Sequence, residues 1–321
     1  MGKHTKLLLL LGGVLALYLL FANLGSQSIP VPNIPVPQVT RSLNLPQQYP
    51  EETGGLLRPP SKTNFIFIGV DHNLLADAIM VGSFYRDTGA INLMSVPRDT
   101  YTTIPPHRRE AMEALGLHPP HTLKINAMRA FGGRNNGTAF LKAQLEEMLG
   151  VHFHYYVEVD LKIFKNIVDA IGGITMYIPQ DLQYNDPYQD LFINIPQGYQ
   201  HLDGTMAEKV VRFRSFPTGD LMRNQMQLAF MKELIKQTLT PEAIMQNPVA
   251  LARIVISEVK TNATLFELAR YLPYLANINT ESLATFTMPG GPEYKDGISW
   301  FILNQDKLPE VINQMFYITA D

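Results

Sequence analysis

Residues 64–71, NFIFIGVD, form a continuous apolar run that ends in a carboxylate. A run of this kind is typical of a strand that is buried on both faces of a sheet. We predict a second strand near 78–84 and a third at 91–96, and the Asp-Thr-Gly turn at 87–89 indicates that these two form a hairpin. The folded region therefore begins with a buried sheet.

Helical and extended patterns alternate after this sheet. Apolar residues recur at helical spacing in 139–149 and 161–171, and short apolar runs that favour strands occupy 155–159 and 174–178. A long helix is predicted from Asp220 to about Leu239. Alternation of this kind predicts an α/β fold, an α-β-α sandwich with a central mixed sheet.

The N-terminus carries a candidate membrane segment. Lys3 and Lys6 precede an almost entirely apolar run at 7–24, and no charged residue occurs between Lys6 and Arg41. This length approaches the roughly 20 residues of a spanning helix, and the charge asymmetry places the remainder outside the cell membrane. We predict a single transmembrane helix with an extracytoplasmic domain. The alternative is a cleaved signal peptide, although residues 22–24 match the cleavage pattern poorly.

The chain divides into four predicted segments. Residues 1–24 are the cytoplasmic tip and transmembrane anchor, and the proline-rich stretch 25–62 is an extracytoplasmic linker of polyproline II character. The predicted α/β domain comprises 63–240. Residues 241–321 are predicted to be a C-terminal extension that packs on this domain or follows it.

Composition excludes several functional classes. The 321 residues have a formal net charge of −3, so no overall basic field exists to hold nucleic acid. Cysteine is absent, which removes disulfides, thiolate metal sites and cysteine nucleophiles. An anionic ligand must therefore be bound by a local cluster of cations.

Charged residues lie where strands are predicted to end and helices to begin, which is where α/β proteins place their sites. They are Asp71, Asp77, Arg98, Asp99, Lys124, Arg212, Arg214, Asp220 and Arg223. Any one of them alone could cap a turn or form a structural ion pair. Together, four arginines and a lysine beside two carboxylates suit a pyrophosphate with a divalent cation, because arginine grips phosphate oxygens bidentately and Mg²⁺ takes carboxylates plus substrate phosphates.

Two spacings refine this cluster. If 212–214 is extended, Arg212 and Arg214 point to the same side of the chain. Asp220 and Arg223 are three residues apart at the start of the long helix and should share a face.

The chain resembles the LytR-CpsA-Psr family in a set of short phrases that occur in the family's order. They are GVD at 69–71, SVPRD at 95–99, KINA at 124–127 followed by FGG at 131–133, VDAIGGI at 168–174, PQGYQHLDGTMA at 196–207, RFR at 212–214 and GDLMR at 219–223. The phrase DGISW at 296–300 is similar to one in the C-terminal extensions of some members.

This resemblance implies a phosphotransferase that moves a glycan polymer, such as teichoic acid or capsule, from a polyprenyl-pyrophosphate carrier to peptidoglycan and releases polyprenyl phosphate. It implies Mg²⁺ on Asp71 and Asp77. The implied catalytic residues are Arg98, Asp99, Arg212, Arg214 and Arg223. The implied pyrophosphate-binding residues are Arg98, Lys124, Arg129, Arg212, Arg214, Asp220, Arg223 and Gln227.

The sequence also departs from the family pattern. The stretch 71–77 lacks the arginines usual there, and Met226 replaces a common arginine. Arg129 is expected to compensate. The missing arginines leave open a non-catalytic protein that binds lipid-linked glycan. A polyprenyl-pyrophosphate phosphatase is also open, because it would share the binding site and differ only in accepting water. A transcriptional regulator is disfavoured because no DNA-binding motif is evident.

Overall fold

A computed structural model describes residues 59–189, 191–216, 220–238, 258–278 and 280–317. The predicted anchor and nearly all of the predicted linker lie outside these ranges. Within them, no helix is both long and apolar enough to cross a bilayer.

The strands and helices follow one another along the described chain. The strands are β1 (Lys62–Val70), β2 (Ala76–Tyr85), β3 (Ile91–Ser95), β4 (Tyr101–Thr103), β5 (Thr122–Lys124), β6 (Tyr155–Asp160), β7 (Ile174–Ile178), β8 (Leu182–Asp186), β9 (Leu191–Ile195), β10 (Gly198–Leu202), β11 (Lys260–Thr261), β12 (Leu283–Thr287), β13 (Gly290–Lys295) and β14 (Ile298–Leu303). The helices are α1 (Pro106–Glu113), α2 (Ile125–Phe131), α3 (Gly133–Leu149), α4 (Leu161–Ala170), α5 (Gly204–Arg212), α6 (Asp220–Thr238), α7 (Leu265–Tyr271) and α8 (Leu308–Phe316). Short 3₁₀ turns cover Pro187–Gln189, Leu272–Asn277 and Thr280–Ser282.

The central sheet has six strands in the order β11-β6-β1-β2-β3-β12. β1 pairs antiparallel with β2, and β2 with β3, whereas β1–β6 and β3–β12 are parallel pairs. The sheet is therefore mixed, and the predicted α/β class with a central mixed sheet is confirmed. The antiparallel pairing of β2 with β3 also confirms the hairpin predicted from the turn at 87–89.

Side chains of β1 alternate between the two faces of this sheet. Ile66 and Ile68 are fully buried in a core shared with α3 and α8, whereas Phe65 packs with Leu93 in a second cluster that includes residues of α6. The period of two in a strand produces this division, because successive side chains point to opposite faces. Helices therefore cover both faces.

A further apolar core lies away from the central sheet. β7 pairs with β10 and β8 with β9, and their inward side chains pack with α5 and α6. β7 and β9 both alternate strictly between buried and exposed positions. This packing fixes the end of α5, which positions two of the predicted site residues.

The region predicted as a C-terminal extension contributes to the central sheet. β12 is one of its two edge strands and pairs along its whole length with β3. Met315 and Phe316 of α8 are fully buried in the core beneath β1 and β2. The main-chain carbonyl of Met315 accepts hydrogen bonds from Ser83, Tyr85 and Asn92.

The first described residues are tied to the sheet. The guanidinium of Arg86, which is 4% exposed, donates to the carbonyl of Pro59 at 2.5 Å, and its main-chain N–H donates to Ser61. We expect the free energy of unfolding to be lower by roughly 1–3 kcal/mol in a chain that starts at residue 62 than in one that starts at 59, because a buried donor loses its acceptor. The shorter chain should therefore unfold at a lower urea concentration. Urea unfolding of the two truncations measures the difference, and equal midpoints would contradict it.

Candidate active site

Asp77 lies at a break in the pairing of the first two strands. Val70 pairs with Ala76 but Gly69 pairs with Ala78, so Asp77 is the extra residue of a β-bulge. Bulges re-aim a side chain and are common beside functional sites. The carboxylate of Asp77 is 30% exposed and points towards two arginines that come from distant parts of the chain.

Arg98 and Arg214 meet at this carboxylate. Arg98 donates from Nη1 to Asp77 Oδ1 at 2.7 Å, and Arg214 Nη2 lies 3.6 Å from Asp77 Oδ2. Arg98 follows β3 directly through Pro97, and Arg214 follows the last turn of α5. The contact between these elements supports the prediction that residues from 71–99 and from 212–214 converge.

Asp99 and Lys124 extend the cluster on its other side. Lys124 Nζ lies 3.1 Å from Asp99 Oδ1, and Arg98 Nε lies 3.9 Å from the same oxygen. The backbone fixes this arrangement, because Asn126 donates its N–H to the Arg98 carbonyl at the start of α2. Lys124, Asp99, Arg98, Asp77 and Arg214 thus form one chain of ion pairs, which we call the cationic cluster. Three cations facing two carboxylates leave an excess of positive charge.

Asp71 organises the tight turn between β1 and β2. Its Oδ1 accepts the main-chain N–H groups of Asn73 at 2.9 Å and Leu75 at 2.8 Å. The turn is so short that Leu74 adopts a φ of 65°, a left-handed conformation that costs a non-glycine residue about 1–2 kcal/mol. Backbone strain of this kind concentrates at functional sites.

The two carboxylates of this corner fit a hard divalent cation in part. Among the described residues, Oδ2 of Asp71 is engaged only by a long 3.5 Å contact from the Asn73 amide, so one oxygen is available for coordination. No group of three or more potential ligands among His, Cys, Asp and Glu exists in the described ranges. A cation held by Asp71 and Asp77 therefore needs further oxygen ligands, which phosphates of a substrate supply in typical Mg²⁺ sites.

Arg212 differs from its prediction. It is the last residue of α5 rather than part of an extended segment, because residues 204–212 complete regular helical turns on the apolar core. Its Nη1 donates to Glu208 one turn earlier at 2.9 Å, and Glu208 also holds Lys165 of α4. Arg212 and Arg214 therefore have different carboxylate partners and do not share one side of a strand.

The start of α6 lies against this end of α5. Gln227 donates from Nε2 to the carbonyl of Val211 at 3.1 Å, and Arg223, one turn earlier on the same face, is 2% exposed. Asp220 is the first residue of α6, and its side chain lies outside the described part of the structure. The described contacts place Gln227 beside the end of α5. The assignment of Asp220, Arg223 and Gln227 to pyrophosphate binding stays a prediction.

Arg129 is engaged away from the cationic cluster. Its side chain is 3% exposed. The guanidinium donates to the Glu158 carboxylate of β6 from Nη2 at 2.6 Å and from Nε at 3.3 Å. Its Nη1 donates to the main-chain carbonyl of Gly133. Thr138 and Lys260 contact the same carboxylate. Its described contacts therefore do not support compensation for the arginines missing from 71–77, and we treat Arg129 as a structural residue.

Removing Arg129 should destabilise the protein strongly. Burial alone raises the pKa of Glu158, but hydrogen bonds from Arg129 and Thr138 and the charge of Lys260 outweigh burial and lower this pKa. We expect Arg129→Ala to reduce the free energy of unfolding by about 3 kcal/mol, because it leaves a buried carboxylate with only part of its compensation.

Calorimetric unfolding tests this expectation, with the exposed pair Arg109–Glu113 as the control. Arg109→Ala should cost less than about 1 kcal/mol. Because the pKa of Glu158 is lowered by folding, its contribution is present above the ordinary glutamate pKa and is lost as pH falls through the folded value. The stability difference between wild type and Arg129→Ala should therefore shrink in acid, and a constant difference would contradict this account.

Two aromatic residues beside the cationic cluster were not predicted from the sequence. Trp300 of β14 and Tyr101 of β4 pack edge to face with centroids 5.1 Å apart, and Lys124 Nζ lies 5.9 Å from the Trp300 ring. The DGISW phrase contained this tryptophan, but its spacing gave no hint of a neighbour two hundred residues away.

The fold and the site together define an α/β domain with a cluster of ion pairs, in excess of positive charge, at the ends of its central strands. The chain belongs to the LytR-CpsA-Psr family, because the model of the LytR_cpsA_psr family matches residues 45–317. The motifs quoted above and the observed sheet agree with this assignment.

Individual relatives are distant. A protein of Staphylococcus aureus (strain NCTC 8325 / PS 47) is 27% identical over 266 residues, which cover 78% of this chain but only 60% of that protein. The polyisoprenyl-teichoic acid–peptidoglycan teichoic acid transferase TagU of Bacillus cereus (strain AH820) is 29% identical over 246 residues, covering 75% of this chain and 72% of the relative.

Solved structures share the fold. B. subtilis TagV superposes on this chain with a TM-score of 0.66 at 21% identity. The superposition covers 81% of this chain and 99% of TagV. TagT bound to LI-WTA superposes on this chain with a TM-score of 0.63 at 22% identity. The superposition covers 80% of this chain and 92% of TagT. At these identities the likeness establishes the architecture alone.

Proposed function

We propose that this protein transfers a glycan polymer from a polyprenyl-pyrophosphate carrier to peptidoglycan and releases polyprenyl phosphate. Membership of the family and the name of the TagU relative support transfer of a glycopolymer to the cell wall. The observation that carries the proposal is the cationic cluster, in which Arg98 and Arg214 converge on Asp77 from distant parts of the chain. Its excess positive charge suits a pyrophosphate.

The proposed reaction is a displacement at the glycan-side phosphorus. The oxygen of a peptidoglycan hydroxyl forms a new bond to this phosphorus, and the bond to the bridging oxygen breaks, so that polyprenyl phosphate leaves with the bridging oxygen. Negative charge develops on the phosphoryl and bridging oxygens, and positioned guanidinium groups stabilise it more than they stabilise the ground state. Arg98 and Arg214 are the partly exposed arginines of the cluster and are assigned this role.

The remaining predicted residues have supporting roles in the proposal. Lys124 and Asp99 lie at the far end of the cluster, where the lysine adds charge and the carboxylate either orients Arg98 or accepts the hydroxyl proton. Gln227 holds the end of α5 beside α6. Arg212, Arg223 and Gln227 are assigned to phosphate binding with Asp220.

Asp71 and Asp77 are proposed to hold Mg²⁺ together with substrate phosphates. When bound, the cation supplies charge neutralisation at the phosphoryl oxygens. The apolar segment 7–24 is proposed to anchor the chain in the cell membrane with the domain outside, which brings the cluster to the side where peptidoglycan lies.

A turnover experiment separates this proposal from its alternatives. Purified protein is incubated with lipid-linked glycan, with and without peptidoglycan, and released polyprenyl phosphate is quantified. We expect release that depends on peptidoglycan. Equal release without peptidoglycan would identify a phosphatase, and tight binding of the lipid-linked glycan without release would identify a binding protein.

A further inference from the structure

The β13–β14 hairpin is attached directly to the cationic cluster. Phe301 donates its N–H to the carbonyl of Asp99 at 2.9 Å. Thr100 forms an isolated β-bridge with Phe301. Asp296 and Gly297 make the tight turn of the hairpin, both with positive φ. The backbone that carries Asp99 therefore also holds the hairpin in place.

One face of the hairpin carries an aromatic surface next to the cluster. Glu293 pairs with Trp300 across the two strands, so their side chains lie on the same face. Lys295 Nζ lies 5.3 Å from the centre of the Tyr101 ring, and Lys124 Nζ approaches the Trp300 ring. We call Tyr101 and Trp300, with their flanking lysines, the aromatic platform.

The platform continues into a depression on the described surface. This open cavity of about 610 Å³ lies at the base of the hairpin and is lined by Gly290, Gly291, Glu293, Ile302, Asn304 and Lys307 among others. Its volume is in the range of ligand sites. Glu293 lines the cavity and pairs with Trp300, so cavity and platform share one edge.

This combination of groups matches the chemistry of a carbohydrate. A pyranose ring presents a face of C–H groups that packs on the electron-rich face of an aromatic ring, and its hydroxyls need charged or polar partners around the rim. Trp300 and Tyr101 are half-buried, which fixes their orientation and leaves part of each ring accessible. Glu293, Asn304 and the lysines supply acceptors and donors at the rim.

We propose that the aromatic platform and the adjoining cavity bind the sugars of the acceptor glycan strand. This assignment rests on the proposed function. The position of Asp99 favours the acceptor glycan strand, rather than the lipid-linked donor, as the occupant of the platform. The hairpin meets the cluster at Asp99, whereas the arginines that converge on Asp77 lie at the other end. A strand on the platform therefore brings its hydroxyl to the cluster from the side of Asp99.

The protein offers a direct probe of this site, because Trp300 is the single tryptophan in the chain. Intrinsic tryptophan fluorescence therefore reports on the platform alone. We expect soluble peptidoglycan glycan strands to change the emission of the full-length protein in a saturable way, and the Arg98→Ala variant to show the same titration. No emission change up to saturating strand concentrations would overturn the assignment, as would a change produced only by the lipid-linked donor.

Steady-state kinetics provide the second test. Trp300→Ala should raise the KM for peptidoglycan about tenfold or more, as expected when a central aromatic contact is truncated, and leave the KM for the lipid-linked donor unchanged. Trp300→Phe should retain most of the affinity. Tyr199→Ala, which removes an aromatic residue that is 78% exposed on the β7–β10 pair, is the matched control and should change neither constant.

Failure of the site and failure of the function give different results. If Trp300→Ala leaves the acceptor KM at the wild-type value while Arg98→Ala abolishes transfer, the platform is not the acceptor site and the proposed function stands. If glycan strands titrate Trp300 but wild type transfers nothing, the platform binds carbohydrate and the proposed function fails. Thermal melting of each variant shows whether a loss reflects unfolding, and Trp300→Phe tests the site if Trp300→Ala is unstable.

Discussion

Transfer of lipid-linked glycan to peptidoglycan should fall about 1,000-fold in Arg98→Ala and about 100-fold in Arg98→Lys, with little change in melting temperature. Loss of a positioned donor to a developing oxyanion typically costs a factor of 100 to 1,000. Lysine keeps the charge but lacks the planar fork that contacts two oxygens at once. Arg98 is 19% exposed and its described partners are carboxylates of the cluster, so its removal affects the site more than the core.

The comparison between the two variants distinguishes a phosphate ligand from a scaffold residue. If Arg98 serves only to hold Asp77 and Asp99, Arg98→Lys should be nearly silent. Arg109→Lys, at an exposed ion pair on α1, is the matched control. Full activity in Arg98→Lys would remove Arg98 from the proposed machinery and leave Arg214 as the principal arginine of the cluster.

Asp77→Ala should reduce transfer by about the same factor, on the order of 1,000-fold, and abolish its response to Mg²⁺. The carboxylate is 30% exposed, and partly exposed ion pairs contribute only about 1 kcal/mol or less to stability, so the variant should fold. Without Asp77, Arg98 and Arg214 lose the partner that they share, and the site becomes more positive. Binding of the donor should therefore persist while transfer is lost.

The measurement is transfer rate against Mg²⁺ concentration for wild type, Asp77→Ala and Asp77→Asn. Asp306→Asn, at an exposed position before α8, controls for loss of one carboxylate at the surface. An Asp77→Ala protein that keeps the wild-type rate and Mg²⁺ response would show that the proposed cation site is misplaced.

Local pattern was sufficient for the elements that begin the fold. The apolar run at 64–71 and the turn at 87–89 predicted β1 and the β2–β3 hairpin because strand alternation and turn chemistry act over a few residues. The same holds for α6, whose predicted range of 220–239 agrees with the observed 220–238.

Contacts between residues far apart in the chain could not be predicted from local sequence pattern. β12 joins the central sheet beside β3, although the two strands are separated by almost the whole domain. The family resemblance implied that Arg129 is a phosphate ligand, whereas its described partner, Glu158, lies on β6, 29 residues along the chain. Neither contact has a local signal, because both depend on how the layers pack.

The candidate site was likewise predictable where it depended on local pattern and unpredictable where it depended on long-range packing. The sequence correctly identified Arg98, Asp77 and Arg214 as residues that converge, since all three flank the ends of regular elements. An extended 212–214 segment was only a condition in the sequence analysis, and it is not met because the apolar face of α5 keeps Arg212 helical. The aromatic platform escaped notice because Tyr101 and Trp300 meet only in three dimensions.

The most direct test of the account follows the phosphorus atom that is transferred. A lipid-linked glycan carrying ³²P only at its glycan-side phosphate is incubated with wild-type protein, peptidoglycan and Mg²⁺, and the washed peptidoglycan is counted. We expect the label to become covalently attached to peptidoglycan, with one unlabelled polyprenyl phosphate released for each label attached. Label that stays with the lipid, or appears only in water-soluble glycan phosphate, would contradict it.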